Sequence, residues 1–160
     1  MTQEERRARL EERRKNRKPS VSYVISNIAT PCAAEDFEDY CGFWFYYQTA
    51  TTIGLQRDFN HPNLECFITF TCDYGGHSVL QQLGARVKKG ERFAAGDRTT
   101  VVDTFKLPWE VEFRESQNPY GPCLRAVVLG IDEEFQSLSY EEADKWLMDH
   151  GPLIDPYENC

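Results

Sequence analysis

The chain has 160 residues, of which 41% are hydrophobic and 13% aromatic, a composition that excludes an intrinsically disordered protein. Its net charge of −8 is uneven: residues 1–18 carry eight Lys and Arg against four Glu, so the rest of the chain carries −12. Such an acidic body argues against nucleic acid as the main ligand. No apolar run is long enough to suggest a transmembrane helix.

The first segment, residues 1–19, is predicted to be a basic arm that is helical or disordered. Thr2 followed by Glu5 fits a capping box, and Pro19 is expected to end the segment. Because the arm has almost no apolar side chains, hydrophobic burial cannot dock it. Two interpretations stay open, a solvated tail or a helix that binds an anionic surface such as a tubulin tail, RNA or anionic lipid. The candidate cations are Arg6, Arg7, Arg13, Arg14, Lys15 and Arg17.

Residues 20–132 show the two-residue period of half-buried strands, separated by Gly, Pro and Asn turns. Val21, Tyr23 and Ile25 alternate in the first run, whereas residues 41–47 are apolar on both faces and predict a central strand. An antiparallel β-sandwich is therefore the expected fold. The predicted strands lie in SVSYVISNI, CGFWFYY, LECFITFTC, TTVVDTF, WEVEFRE and CLRAVVLGI.

The last segment, residues 133–160, is predicted to be an acidic extension. Ser139 and Glu142 form a second capping box, so a short helix is expected from Tyr140 to Asp149. The side chains expected to pack on a sheet are Ala143, Trp146 and Leu147.

The six cysteines are expected to be reduced, cytosolic thiols, because no apolar leader precedes them. Cys66, Cys72 and His77 have the spacing C-x5-C-x4-H, which leaves a zinc site open as an alternative. Structural zinc usually takes closer pairs, and the first two residues alternate with apolar side chains, so buried thiols are the favoured interpretation.

Acidic residues at 35–39 could bind calcium, but they lack a second cluster to complete the site. The nearest acids are single residues, namely Asp97, Asp103 and Asp132. His61 and His77 are interpreted as loop residues, and the chain has no phosphate-binding glycine motif. We therefore expect no enzyme activity, no metal or other cofactor and no small-molecule substrate.

The segment LPWEVEFRESQNPYGPCLRAVVLGID, residues 107–132, contains two strands around an Asn118-Pro119-Tyr120-Gly121 corner. Proline fixes φ and glycine tolerates positive φ, so the corner suits a tight turn. The hairpin, with SYVISNI, DFEDY and CGFWFYY upstream, resembles the signature of the ciliary B-nine domain family. That resemblance covers residues 20–132 and implies a C-two-like β-sandwich.

Two features depart from the family pattern. Gly121 precedes Pro122-Cys123 where the family tends to have Trp-Pro, and an acidic helical segment follows Asp132 in place of further sandwich strands. An incomplete sandwich would expose an edge strand at which another chain could pair.

The resemblance implies a non-enzymatic scaffold that assembles with other B-nine subunits of the Meckel-syndrome complex, which supports the diffusion barrier and ciliogenesis. The expected location is the cilium base, transition zone or cytoskeleton. Two alternatives stay open: a structural subunit of another assembly, axonemal or ribosome-like, that uses the basic arm, or a metal-dependent enzyme. The predicted interaction surface, for which simple packing is the competing explanation, is Asn118, Pro119, Tyr120 and Gly121, with Trp109 and Phe113 beneath them.

Overall fold

The computed structural model describes residues 1–31, 46–70 and 78–150, whose strands form one six-stranded mixed sheet. The elements in chain order are α1 (Gln3–Lys15), β1 (Ser22–Pro31), β2 (Tyr46–Ile53), α2 (Leu55–Phe59), β3 (Asn63–Thr69), α3 (Ser78–Lys88), β4 (Arg98–Val102), β5 (Pro108–Asn118), β6 (Gly121–Val128), α4 (Glu133–Gln136) and α5 (Tyr140–His150).

The sheet has the strand order β1-β2-β3-β6-β5-β4. Every neighbouring pair is antiparallel except β3 and β6, which are parallel and meet at the centre of the sheet. A parallel pair needs a long crossover, which α3, β4 and β5 supply here. The strands β3 and β6 have neighbouring strands on both sides, and nearly all of their residues are buried.

The first face of the sheet packs on α3. Its helical period places Val79, Leu80, Leu83 and Val87 on one side, where all four are buried. They meet the side chains that alternate along the strands: Leu64, Cys66, Ile68, Val111, Phe113, Leu124, Ala126 and Val128. The predicted alternation of β3 and β5 is confirmed.

The second face packs on α4 and α5. Phe67 points away from the first core because side chains alternate along a strand, and it contacts Phe135, Ala143 and Leu147. Ser139 Oγ accepts a hydrogen bond from Glu142 N–H at 3.2 Å, as an N-cap does. The predicted C-terminal helix and its packing side chains, including Trp146, are confirmed.

The expected antiparallel β-sandwich is confirmed only in its strands. The described residues contain one sheet rather than two, with a parallel pair at its centre and helices on both faces. The physical reason is that residues 78–88 have a helical apolar pattern, so a helix covers the face that a second sheet would occupy. Of the predicted strand CGFWFYY, Tyr46 and Tyr47 begin β2, and residues 41–45 lie outside the described residues.

The basic arm is helical, and its predicted capping box is present: Glu5 N–H donates to Thr2 Oγ1, and Thr2 N–H donates to Glu5 Oε2. Helix α1 ends at Lys15, before Pro19, and none of its residues is buried. Arg17 is engaged within the chain, since its guanidinium binds both carboxylate oxygens of Asp58, with Nη1 to Oδ2 at 2.7 Å.

The edge strand β4 is capped by side chains from α3. The side-chain amide of Gln82 accepts from Val102 N–H at 2.9 Å and donates to the Val102 carbonyl at 2.8 Å. Arg86 Nη1 donates to the Thr100 carbonyl at 3.2 Å. These bonds occupy backbone groups that an added strand would need, so this edge is protected against pairing.

Among the described helices, none combines the length and the apolar character needed to cross a membrane.

Candidate functional site

The Asn118-Pro119-Tyr120-Gly121 corner joins β5 to β6, as the sequence predicts. Asn118 pairs with Gly121, and the Asn118 Oδ1 atom accepts a hydrogen bond from Tyr120 N–H at 2.9 Å. Gly121 has φ +112°, a conformation that favours glycine. Tyr120 is 51% exposed, so the corner presents an aromatic ring to solvent.

Asn118 also connects the corner to the interior. Its buried Nδ2 group donates to Thr51 Oγ1 at 3.2 Å and lies 3.4 Å from Glu65 Oε1. One side chain thus fixes the turn through its oxygen and reaches the sheet through its nitrogen. The turn is held by the tertiary structure as well as by its local sequence.

A salt bridge between Glu65 and Arg125 lies at the centre of the second face. Arg125 Nε is 2.9 Å from Glu65 Oε2, and the side chains are 8% and 0% exposed. The two residues are register neighbours on the parallel strands β3 and β6. Ser116 Oγ also donates to Glu65 Oε2 at 2.7 Å, so the carboxylate accepts from several partners, as a buried charge must.

Arg125 holds the segment between α4 and α5 as well. Its Nη1 group donates to the carbonyls of Gln136, at 3.0 Å, and Leu138. The guanidinium also lies over the Phe67 ring, 4.0 Å from the ring centroid. Arg125 therefore fixes the chain immediately before α5 begins.

Between the corner and α5 lies a cavity of about 510 Å³, which we call the docking groove. One wall comes from the corner and the other from the start of α5. The lining residues are Gln117, Asn118, Pro119, Ser139, Tyr140 and Glu141. Asn118 in the first wall is bonded to Glu65, and Arg125 is bonded to the Leu138 carbonyl, one residue before Ser139 begins the second wall.

The described lining of the docking groove combines polar and aromatic groups. Ser139 Oγ already accepts from the α5 backbone, and the other described lining groups are amide, ring and carboxylate groups. The thiol of Cys123, which lies 3.6 Å from Asn118 Nδ2, has its pKa raised to about 12 chiefly by burial. At neutral pH it is protonated and is a poor nucleophile.

Trp109 and Phe113, predicted to lie beneath the corner, lie elsewhere. Trp109 is at the opposite end of β5, where it pairs with Val101. Its ring stacks on Phe70 with 5.5 Å between the ring centroids, and its Nε1–H group donates to Asp103 Oδ2. Phe113 is fully buried in the first core. Since Asn118 points to the second face, neither aromatic residue supports the corner.

The metal candidates divide between described and undescribed residues. Cys66 is buried, its Sγ donates to the Ile68 carbonyl, and burial raises the pKa of its thiol to about 12. Cys72, His77 and the acids at 35–39 lie outside the described residues. The single acids Asp97, Asp103 and Asp132 each accept hydrogen bonds within the chain. Residues 1–31, 46–70 and 78–150 contain no cluster of three or more potential metal ligands.

His61 has a structural role in the described fold. It is 1% exposed, and its Nε2 atom accepts from Phe93 N–H at 3.0 Å. Its Nδ1 atom therefore carries the proton and donates to the Pro62 carbonyl at 2.7 Å. Desolvation lowers the pKa of the ring, so the neutral form predominates.

Sequence reasoning missed Glu65 and Arg125. Each is a single charge inside an apolar strand, in LECFITF and CLRAVV, and the charges are opposite. A lone charge at an inward position of a strand predicts a buried partner, because an unpaired one would be too costly. That signal was available, although the register that pairs the two strands was not.

Comparison of the chain with protein-family models, with curated proteins and with solved structures finds no match.

Proposed function

We propose that this chain is a non-enzymatic protein–protein interaction module and that the docking groove is its recognition surface. The observation that carries the proposal is that the Glu65–Arg125 salt bridge is bonded to Asn118 in one groove wall and to the Leu138 carbonyl immediately before the other wall. A surface that is already fixed before binding loses little conformational entropy when a partner docks.

The composition of the groove supports a protein partner. Pro119 lines one wall and is exposed, its neighbour Tyr120 is exposed in the same corner, and Tyr140 lines the opposite wall. Tyrosine is enriched in protein interfaces because it offers a large apolar ring with a polar tip. The nearby amide and carboxylate groups of Gln117 and Glu141 supply hydrogen-bond specificity.

We further propose that the protein acts at the cilium. This proposal rests on the resemblance of the corner hairpin to the B-nine family. Under it, the partners are B-nine-like subunits of a multi-protein assembly at the cilium base. The single mixed sheet differs from the sandwich that the resemblance implies, so the hairpin alone supports this setting. The groove proposal does not depend on it.

The test is affinity purification of the tagged full-length protein from its native cell, followed by mass spectrometry, for wild type, Tyr120→Ala and Phe105→Ala. Phe105 is a matched control, because it is a comparably exposed aromatic residue at 59% and lies outside the 118–121 corner that supplies one wall of the groove. We expect Tyr120→Ala to lose partners that Phe105→Ala retains, with the melting temperature of both variants close to wild type.

Two outcomes would contradict the groove proposal: partners retained by Tyr120→Ala, or a large loss of stability with binding intact. Recovery of B-nine proteins and transition-zone membrane components would support the ciliary setting. Recovery of tubulin-associated or ribosomal proteins, lost on deletion of residues 1–18, would favour an assembly that uses the basic arm.

A further inference from the structure

A second cavity, of about 340 Å³, lies beside the segment that contains α4. We call it the aromatic pocket, and it is separate from the docking groove. Three aromatic rings, one leucine and two carboxylates line it. The lining residues are Tyr47, Phe135, Trp146, Leu138, Asp132 and Glu134.

The three rings of the aromatic pocket hold one another in fixed orientations. The centroid distances among Tyr47, Phe135 and Trp146 are 4.9 to 5.1 Å, with interplanar angles of 55° to 78°. Edge and tilted packing of this kind is the favoured geometry for aromatic groups. The wall is therefore preformed, and a ligand would meet ring surfaces that need no rearrangement.

The two carboxylates make the pocket negative. Asp132 Oδ2 accepts a hydrogen bond from Tyr47 O–H at 2.6 Å, which joins one acid directly to the aromatic wall. Glu134 is exposed in the first turn of α4, beside the equally acidic Glu133. An aromatic face attracts cations through its quadrupole, and nearby carboxylates attract them through charge. Both the aromatic rings and the carboxylates of the lining therefore favour positively charged ligands.

A contact between a cation and an aromatic ring already exists near the aromatic pocket. The guanidinium of Arg125 lies 4.0 Å from the centroid of the Phe67 ring. The centroid of the Phe67 ring is in turn 5.8 Å from that of Phe135, which lines the aromatic pocket. The Arg125 contact with Phe67 is buried and is part of the packing on the second face of the sheet. The outer rings of the same aromatic cluster line a cavity instead.

We propose that the aromatic pocket binds an organic cation, namely a lysine or arginine side chain of a partner protein. Its volume lies at the low end for ligand sites, which suits one side chain better than a larger cofactor. The acidity of the chain beyond its first 18 residues would also attract a basic partner over longer distances.

The test uses three probes with the full-length chain: N-acetyl-lysine amide, N-acetyl-arginine amide and the uncharged N-acetyl-norleucine amide. Binding is followed by two-dimensional NMR through the indole N–H resonance of Trp146, assigned with a Trp146→Phe variant. We expect millimolar affinity for lysine or arginine, and at least about fivefold weaker binding of norleucine.

Two variants distinguish binding in the aromatic pocket from general electrostatic attraction to an acidic protein. Glu134→Gln removes a lining carboxylate, and Glu115→Gln makes the same charge change at an exposed residue of β5 that does not line the pocket. We expect Glu134→Gln to weaken lysine binding about threefold and Glu115→Gln to leave it nearly unchanged.

Three results would overturn the proposal. Equal effects of the two variants would mean only general attraction to an acidic protein. Norleucine binding as tightly as lysine would identify a simple apolar pocket. No change at Trp146 with any probe would mean that the aromatic cluster is a packing unit only. None of these results bears on Tyr120, so the docking groove is tested independently.

Discussion

Glu65 and Arg125 form a salt bridge of 2.9 Å beneath α4 and α5, and they are direct register neighbours on the two parallel strands. Removing one partner would leave an uncompensated buried charge, which costs far more than the pair itself contributes. Arg125→Met is therefore expected to destabilise the fold by about 3–5 kcal/mol. Urea denaturation monitored by circular dichroism would measure the change.

A double-mutant cycle provides the control for this prediction. Glu65→Leu combined with Arg125→Met should cost clearly less than the sum of the two single changes, because neither charge is then buried alone. Additive effects would mean that the two side chains stabilise the fold independently, contrary to the geometry.

Gln82 protects the edge of the sheet through its two bonds to Val102. Gln82→Ala should lower stability by about 1–3 kcal/mol, because it leaves partly buried backbone groups without their partners. It should also promote concentration-dependent association through β4, measurable by analytical ultracentrifugation. Gln81→Ala, at an exposed site on the same helix, is the matched control and should change neither property.

The pH dependence of stability should contain a contribution from His61. Its pKa is lowered in the folded state, chiefly by desolvation, from the ordinary value of 6.5. Below that value the unfolded chain takes up the proton first, so stability falls with decreasing pH by up to about 1.4 kcal/mol per pH unit. The loss ends once the pH reaches the folded pKa.

The measurement for His61 is the free energy of unfolding of wild type and His61→Gln between pH 7 and pH 4.5. The difference between the two proteins should shrink as the pH falls below about 6.5. A constant difference across this range would show that His61 has the same pKa in both states.

The thiols of Cys66 and Cys123 should resist modification. Burial raises the pKa of both to about 12, so little thiolate forms at neutral pH. Brief iodoacetamide treatment of the native protein at pH 8, followed by peptide mass spectrometry, should leave both unlabelled. Denatured protein, treated identically, should be labelled at both positions. Rapid labelling of Cys123 in the native state would contradict the buried position of the polar network around Asn118.

Asp58 ties the basic arm to the body. It accepts from Arg17 and from Ser20 N–H, and the Arg17 guanidinium is the chief cause that holds the pKa of the carboxyl well below its ordinary value. Asp58→Asn should therefore increase the mobility of residues 17–20, seen as lower heteronuclear NOE values. Because the folded pKa is depressed, the wild-type contact should persist at mildly acidic pH and disappear only in strong acid. Unchanged NOE values in the variant would contradict this role.

The local elements follow largely from the sequence. The alternation of β3 and β5, the capping of α1 and α5 and the turn at Asn118 each depend on residues close together in the chain. Even α3 was detectable, since Val79, Leu80, Leu83 and Val87 lie on one side of a helix. The strand-like two-residue period on both sides of residues 78–88 favoured a second sheet in place of this helix.

Only the tertiary structure decided how the strands are ordered and what the corner contacts. The parallel pairing of β3 with β6 depends on a long crossover, and no short-range pattern specifies its register. That pairing places Glu65 beside Arg125 and brings Asn118 within reach of both Thr51 and Glu65. The sequence by itself determined a sheet-rich chain with a solvent-facing corner at 118–121. The docking groove and the aromatic pocket arise because residues far apart in the chain meet on the second face of the sheet, and long-range packing alone brings them together.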